Sequence, residues 1–94
     1  MVLTIKFIGA LRHISGKTQL TVDYEEGMSL KDLLSKIGQE LPKLGKSLGD
    51  PQTGDSASNP LILVNGREIS VLNGLETELS DGDEVVFVPV IHGG

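Results

Sequence analysis

Apolar and polar side chains alternate near the start of the chain. Leu3, Ile5 and Phe7 are apolar, and the residues between them are polar. A period of two predicts a β-strand with one buried face. Residues 19–23 alternate in the same way. We therefore expect a hairpin of two strands, with Ala10–Ser15 in a long connection between them.

The pattern then changes to spacings of three and four. Ser29 precedes an acidic residue at position 32, which is typical of a helix N-cap. Pro42 disfavours helical backbone at the residue before it, so the helix is expected to end near position 41. The apolar residues of this stretch fall on one helical stripe: Leu30, Leu33, Leu34, Ile37 and Leu41. The stripe predicts an amphipathic helix that packs against a sheet.

The second half of the chain contains three further strand patterns. Residues 42–59 are rich in Gly, Ser, Asp and Pro, which predicts a long surface loop. The apolar run Leu61–Val64 predicts a central strand covered on both faces, and Asn65–Gly66 predicts a tight turn after it. Arg67–Ile69 is expected to form a short edge strand, and Glu84–Ile91 the last strand.

This order of elements predicts an α+β fold with a mixed sheet and one main helix packed across it. A last strand that lies parallel and central beside the first would give the β-grasp (ubiquitin-like) arrangement. The pattern alone leaves this as one α+β possibility among several. With 94 residues, of which 38% are hydrophobic, we expect one β-grasp domain over 1–91 and a flexible tail over 92–94 that ends in Gly-Gly.

Charge and cysteine content narrow the classes of function. The chain has 13 acidic and 8 basic residues, a formal net charge of -5. This charge disfavours direct binding to nucleic acid or to a membrane, and favours a partner with a basic surface. The absence of cysteine excludes a disulfide or a cysteine nucleophile and fits a cytoplasmic protein. His13 and His92 are too few and too far apart in sequence to predict a metal site.

The last strand is apolar on both of its faces. A single helix covers only one face of a sheet, so the other set of side chains would form a hydrophobic docking patch beside the tail. The pattern leaves open which set faces outward. The two alternating sets are Val85, Phe87 and Pro89, and Val86, Val88 and Val90.

Two stretches resemble a known family. Asp81–Val85, continued through Phe87–Val90 to Gly93–Gly94, resembles the carboxyl end of the small subunit of molybdopterin synthase, the MoaD family of sulfur carriers. Phe7–Arg12 followed by Gly16–Lys17 is similar to the first hairpin of that family. The resemblance implies the β-grasp fold and a sulfur carrier of molybdenum cofactor biosynthesis.

The resemblance also implies the chemistry of the tail. An E1-like enzyme would use ATP to adenylate the terminal carboxylate of Gly94, and a sulfur donor would convert it to a thiocarboxylate. Gly93 would give the tail clearance in a narrow active site, because glycine has no Cβ. The chain would hold no permanent cofactor and would be non-catalytic by itself. Its further partner would be the large subunit of molybdopterin synthase. The docking residues would be Phe87, Val88, Pro89, Val90, Ile91 and His92.

One departure from the family keeps a second function open. Val90 and His92 stand where molybdopterin carriers commonly have a proline and a small residue, and the ending Ile91–Gly94 resembles the ubiquitin-related modifier. That resemblance implies a modifier joined through Gly94 to lysines of target proteins, or a sulfur donor for transfer-RNA thiolation. A plain β-grasp interaction domain that never uses its tail is a third, weaker alternative.

Overall fold

The computed structural model describes residues 1–42 and 61–89. Within these residues a five-stranded mixed sheet carries one long helix. Two short 3-10 turns, Ile69–Val71 and Gly74–Glu76, precede the last strand. The elements are β1 (Val2–Phe7), α1 (Ala10–Ser15), β2 (Gln19–Asp23), α2 (Leu30–Glu40), β3 (Leu61–Val64), β4 (Arg67–Glu68) and β5 (Glu84–Val88).

The last strand lies in the middle of the sheet. The strand order is β2-β1-β5-β3-β4. Strand β1 pairs antiparallel with β2 and parallel with β5, and β5 pairs antiparallel with β3. This is the β-grasp arrangement, and the predicted parallel, central last strand is confirmed.

Helix α2 begins at the predicted cap. The Ser29 side chain accepts a hydrogen bond from the backbone N–H of Asp32 (3.2 Å), and the Asp32 carboxylate accepts one from the backbone N–H of Ser29 (3.0 Å). This capping box satisfies two backbone donors at the start of the helix. The predicted stripe is confirmed, because four of its five residues are buried in the core: Leu30, Leu33, Leu34 and Ile37.

The connection between β1 and β2 differs from the prediction, because Ala10–Ser15 forms the short helix α1. Gly9 precedes this helix with φ +62°, and Gly16 ends it with φ +74°. The Gly16 N–H donates to the carbonyl of Arg12 (2.9 Å), as in a left-handed helix cap. Two glycines that accept positive φ therefore allow one helical turn and a half inside what the sequence presents as a loop.

The sequence predicted that strand β3 is covered on both faces, and this prediction is wrong. Ile62 and Val64 are buried, whereas Leu61 is exposed and Leu63 is half-buried on the other face. The helix covers only one side of the sheet, so an apolar run in this strand leaves half of its side chains uncovered. The predicted turn at Asn65–Gly66 is confirmed, with positive φ at both residues.

The edge strand β4 is shorter than expected, because Ile69 already belongs to a 3-10 turn. The predicted loop over 42–59 lies outside the described residues except for its first position. The predicted boundary between the domain and the tail, at 91/92, also lies outside them.

Candidate functional site

The two faces of β5 have different environments. Val85 and Phe87 are fully buried in the core shared with α2, whereas Val86 and Val88 are half-buried on the opposite face. The register with β1 sets this orientation, since Phe87 lies opposite the buried Phe7. The side chain of Phe87, for which a docking role was predicted, packs in the core and has no exposed surface.

Five apolar side chains lie together on the sheet face that α2 does not cover. The register places Val86 opposite Leu63, and Val88 opposite Leu61. Residues that are directly opposite in a sheet share a face. Ile8 comes two residues after Lys6, so its side chain is on the same face of the sheet. Ile8 is 40% exposed and Leu61 is 37% exposed. We call this set the open-face patch: Ile8, Leu61, Leu63, Val86 and Val88. It is the predicted hydrophobic surface, now assigned to one set of β5 residues.

Charged side chains border the open-face patch. The Nζ atom of Lys6 lies 3.0 Å from Oε2 of Glu84, and both side chains are well exposed. Glu68 of the edge strand lies opposite Leu63. Exposed ion pairs contribute little to stability. The charged side chains that border the open-face patch instead resemble the polar rim of a protein interface.

The acidic turn before β5 is held by hydrogen bonds within the domain. Asp83 accepts from the backbone N–H of Ser80 (2.7 Å) and from Nδ2 of Asn65 (2.8 Å). Asp81 accepts from the backbone N–H of Val2 (3.0 Å). These contacts fix the first residues of β5, whereas the tail follows its last residues. The acidic side chains therefore stabilise the turn before the strand.

Strand β5 ends at Val88, three residues before the predicted end. The N–H of Ile8 donates to the carbonyl of Phe87 (3.2 Å). Pro89 has no N–H, so the hydrogen-bond ladder cannot continue through it. Five predicted site residues lie outside the described part, and their roles in docking, clearance and activation stay predictions: Val90, Ile91, His92, Gly93 and Gly94.

One contact beside this strand end was not predicted. A Cβ atom built on Gly9 would lie 3.1 Å from Cγ of Pro89, so the proline ring lies where a side chain of residue 9 would begin. The two residues are far apart in sequence, and only the parallel pairing of β1 and β5 brings them together. A glycine two residues after an alternating strand is the one sequence signal that points to a close approach here.

The described ranges bring together no group of three metal-ligating side chains. Within residues 1–42 and 61–89, no helix has the length and apolar character needed to cross a bilayer.

The pKa of Asp32 is lowered from its usual value, first by the hydrogen bond from the Ser29 backbone and then by the Ser29 side chain. The Asp32 carboxylate belongs to the cap of α2, so its lowered pKa has a structural cause and does not mark a functional site. The candidate site therefore consists of the open-face patch and the end of β5.

Comparison with known proteins gives matches that cover from two thirds of the chain to all of it. The ThiS family matches residues 5–94. "Small archaeal modifier protein 3" of Haloferax volcanii is 30% identical over 95 residues, covering 100% of both chains. A "Putative sulfur carrier protein" of Archaeoglobus fulgidus is 43% identical over 63 residues, 66% of each chain. The structure titled "Putative molybdopterin converting factor, subunit 1" from Pyrococcus furiosus is 25% identical, with a TM-score of 0.77 over 97% of this chain and 99% of that one.

Proposed function

This chain belongs to the ThiS family of ubiquitin-like sulfur carriers, and we propose that it carries sulfur on the terminal carboxyl group of Gly94. The proposal requires Gly94 to be the last residue of the mature protein. The chain supplies the acceptor carboxylate and a docking surface, and partner enzymes supply the catalysis. A cytoplasmic location is part of the proposal.

The observation that carries the proposal is the position of β5 in the sheet. It is the central strand, hydrogen-bonded on one side to β1 and on the other to β3. Pro89 follows it, and five residues remain to Gly94. Five extended residues reach at most about 18 Å. A reactive group at Gly94 would therefore stay within a short distance of a strand that is paired on both sides.

The proposed chemistry proceeds in two steps. A carboxylate resists substitution until one of its oxygens becomes a good leaving group. In the first step the Gly94 carboxylate attacks the α-phosphate of ATP, which forms an acyl adenylate and releases pyrophosphate. In the second step a hydrosulfide-level sulfur donor attacks the acyl carbon and AMP leaves. The product is a thiocarboxylate. The sulfur is held by the main chain, so the reaction requires no cysteine in this protein.

The open-face patch supports the docking part of the proposal. It leads to the end of β5, and its border carries charges of both signs, Lys6 and Glu84. An apolar centre with a polar rim is the usual anatomy of a protein interface. We propose that the adenylating enzyme binds the open-face patch, which includes Val88, together with Pro89. This contact would present the tail to the enzyme in one orientation. Val90, Ile91 and His92 would extend the same contact.

Pyrophosphate release tests this function directly. The full chain is mixed with ATP and an adenylating enzyme from the same host, and pyrophosphate is measured over time. We expect release that depends on the chain and that disappears when Gly94 is deleted. Release that is unchanged by the deletion would refute activation at Gly94.

For the sulfur acceptor, we propose a pterin precursor, with this chain as the small subunit of molybdopterin synthase. The likeness to the Pyrococcus furiosus protein supports this choice. The test is reconstitution: the thiocarboxylated chain and a molybdopterin synthase large subunit should together convert the precursor, and neither should do so alone. An absence of conversion by a complex that forms stably would contradict this acceptor.

A second function, protein modification, is favoured by a specific observation. The full-length relative from Haloferax volcanii is named a modifier, and the ending with His92 is similar to that of the ubiquitin-related modifier. In that case the Gly94 carbonyl would be joined to lysine amines of target proteins, or a transfer RNA would receive the sulfur of the thiocarboxylate. Amino-terminally tagged chain recovered from its native host would show isopeptide bonds between Gly94 and lysines. Their absence, with thiocarboxylate present, would favour the carrier.

A further inference from the structure

We infer that Gly9 is a positioning residue: because it has no Cβ, it leaves room for the Pro89 ring and so sets the direction in which the chain leaves the sheet toward Gly94. The inference rests on the proposed function, in which the end of the chain must enter the active site of the adenylating enzyme. It gives a role in that reaction to a residue of the β1–α1 turn.

A side chain at Gly9 would be crowded by the Pro89 ring, which would have to shift to admit it. A Cβ atom there would lie 3.1 Å from Cγ and 3.8 Å from Cδ of Pro89, whereas carbon atoms in favourable contact are about 3.5–4.0 Å apart. Cγ is tied through Cδ to the main-chain nitrogen of Pro89, so it cannot rotate away as the end of a flexible side chain would. Only the ring pucker and the main chain at Pro89 can yield.

The contact acts where hydrogen bonding between the strands stops. The bond from the Ile8 N–H to the Phe87 carbonyl lies just before Pro89, which has no N–H to extend the ladder. The turn that carries Gly9 is itself held in place. The carbonyl of Gly9 accepts a hydrogen bond from the N–H of Arg12 (3.0 Å), and Nε of Arg12 donates one to the carbonyl of Phe7 (3.1 Å). A fixed turn therefore supports the proline ring.

Gly9 also has a backbone conformation that favours glycine, with φ +62° and ψ −134°. A substitution would combine backbone strain with the Pro89 contact, so the experiment must separate them. Gly16 provides the matched control. It lies at the other end of α1, has φ +74°, and a Cβ there would meet no atom within 4 Å.

The first measurement needs no partner enzyme. Residual dipolar couplings are recorded on the weakly aligned full chain, with the Cα–Hα bond of Pro89 as the reporter. We expect Gly9→Ala to change the Pro89 coupling relative to the frame of Val85–Val88, and Gly16→Ala to leave it unchanged. An unchanged Pro89 coupling in a folded Gly9→Ala variant would overturn the inference.

The second measurement is a double-mutant cycle on pyrophosphate release. Misplacement of a reacting group by a fraction of an ångström to 1 Å lowers rates substantially, so we expect Gly9→Ala to lower kcat about tenfold, with KM little changed. In the Pro89→Ala background the ring is absent, and Gly9→Ala should lower kcat by no more than about twofold. Equal losses in both backgrounds would show that strain, and not the contact, is responsible.

The two measurements distinguish failure of the inference from failure of the proposed function. If the enzyme releases no pyrophosphate with the unmodified chain, activation at Gly94 is refuted, and the dipolar coupling still decides whether Gly9 orients Pro89. If the unmodified chain is activated and Gly9→Ala matches it in kcat, the positioning role is refuted and the proposed function stands.

Discussion

Phe7 and Phe87 lie opposite each other in the parallel pair of β1 and β5, with their ring centroids 6.0 Å apart and the ring planes inclined by 15°. Both side chains are buried. This stacked pair joins the first strand to the last under the helix. It also commits Val86 and Val88 to the opposite face, because alternate residues of a strand point to opposite sides.

The first prediction concerns the two faces of β5. We expect Phe87→Ala to lower the free energy of unfolding by about 3–5 kcal/mol, because it removes a ring from a packed core. We expect Val86→Ala, on the open face, to lower it by only about 1 kcal/mol. Urea denaturation of both variants measures this difference. Similar losses would contradict the assigned orientation of β5.

Strong local signals explain what could be predicted from the sequence. Alternation marks β1, and Ser29 with the acidic residue three positions later marks the start of α2. Each of these depends on neighbouring residues only. The central, parallel position of β5 followed from the order of elements together with the family resemblance.

The remaining features depend on contacts between distant residues. Helix α1 has six residues, too few to show a helical period. In β3 and β5 both faces are apolar, so only the pairing of β5 with β1 and of β3 with β5 decides which side is buried. The packing of Gly9 on Pro89 depends on the register of two strands at opposite ends of the chain.

The second prediction tests the open-face patch. Leu61 lies in the patch and Leu72 lies between β4 and β5, yet both are 37% exposed, so they form a matched pair. We expect Leu61→Ser to raise the KM of the adenylating enzyme for this chain about tenfold, as loss of an interface contact does. Leu72→Ser should leave KM within about twofold.

Pyrophosphate release at varied chain concentration gives both KM values, and thermal unfolding provides the control for folding. Equal effects of the two serine substitutions on KM would show that the enzyme does not use the open-face patch.

The third prediction concerns the link between the β3–β4 turn and the start of β5. Asn65 has φ 51°, its Oδ1 accepts from the Glu84 N–H (3.0 Å), and its Nδ2 donates to Asp83 (2.8 Å). Asn65→Ala loses both hydrogen bonds and places alanine at a positive φ, so we expect a loss of about 2 kcal/mol in the free energy of unfolding.

Asn65→Gly loses the same hydrogen bonds but adopts a positive φ readily, so we expect it to be destabilised less than Asn65→Ala. Urea denaturation ranks the two variants. A glycine variant as unstable as the alanine variant would argue against backbone strain at this turn.

The fourth prediction is a pH dependence of the helix cap. The folded pKa of Asp32 is lowered by Ser29, so the folded state favours the ionised carboxylate. Its contribution to stability is present above the unfolded pKa, about 3.9, and is lost as the pH falls through the folded pKa. We therefore expect the difference in unfolding free energy between the unmodified chain and Asp32→Asn to shrink below about pH 4.

Urea denaturation near neutral pH and again in acid measures that difference. A gap between the two proteins that is constant over this range would contradict a contribution from the ionised cap.

The central claim is that sulfur is carried on the carboxyl group of Gly94, and intact-mass spectrometry tests it most directly. The full chain is incubated with ATP, a sulfide source and its adenylating enzyme, beside a variant that lacks Gly94. We predict that the full chain gains the mass of one oxygen exchanged for sulfur, located by fragmentation at Gly94, and that the shortened variant gains nothing. A full chain of unchanged mass, or an equal exchange in the shortened variant, would contradict the claim.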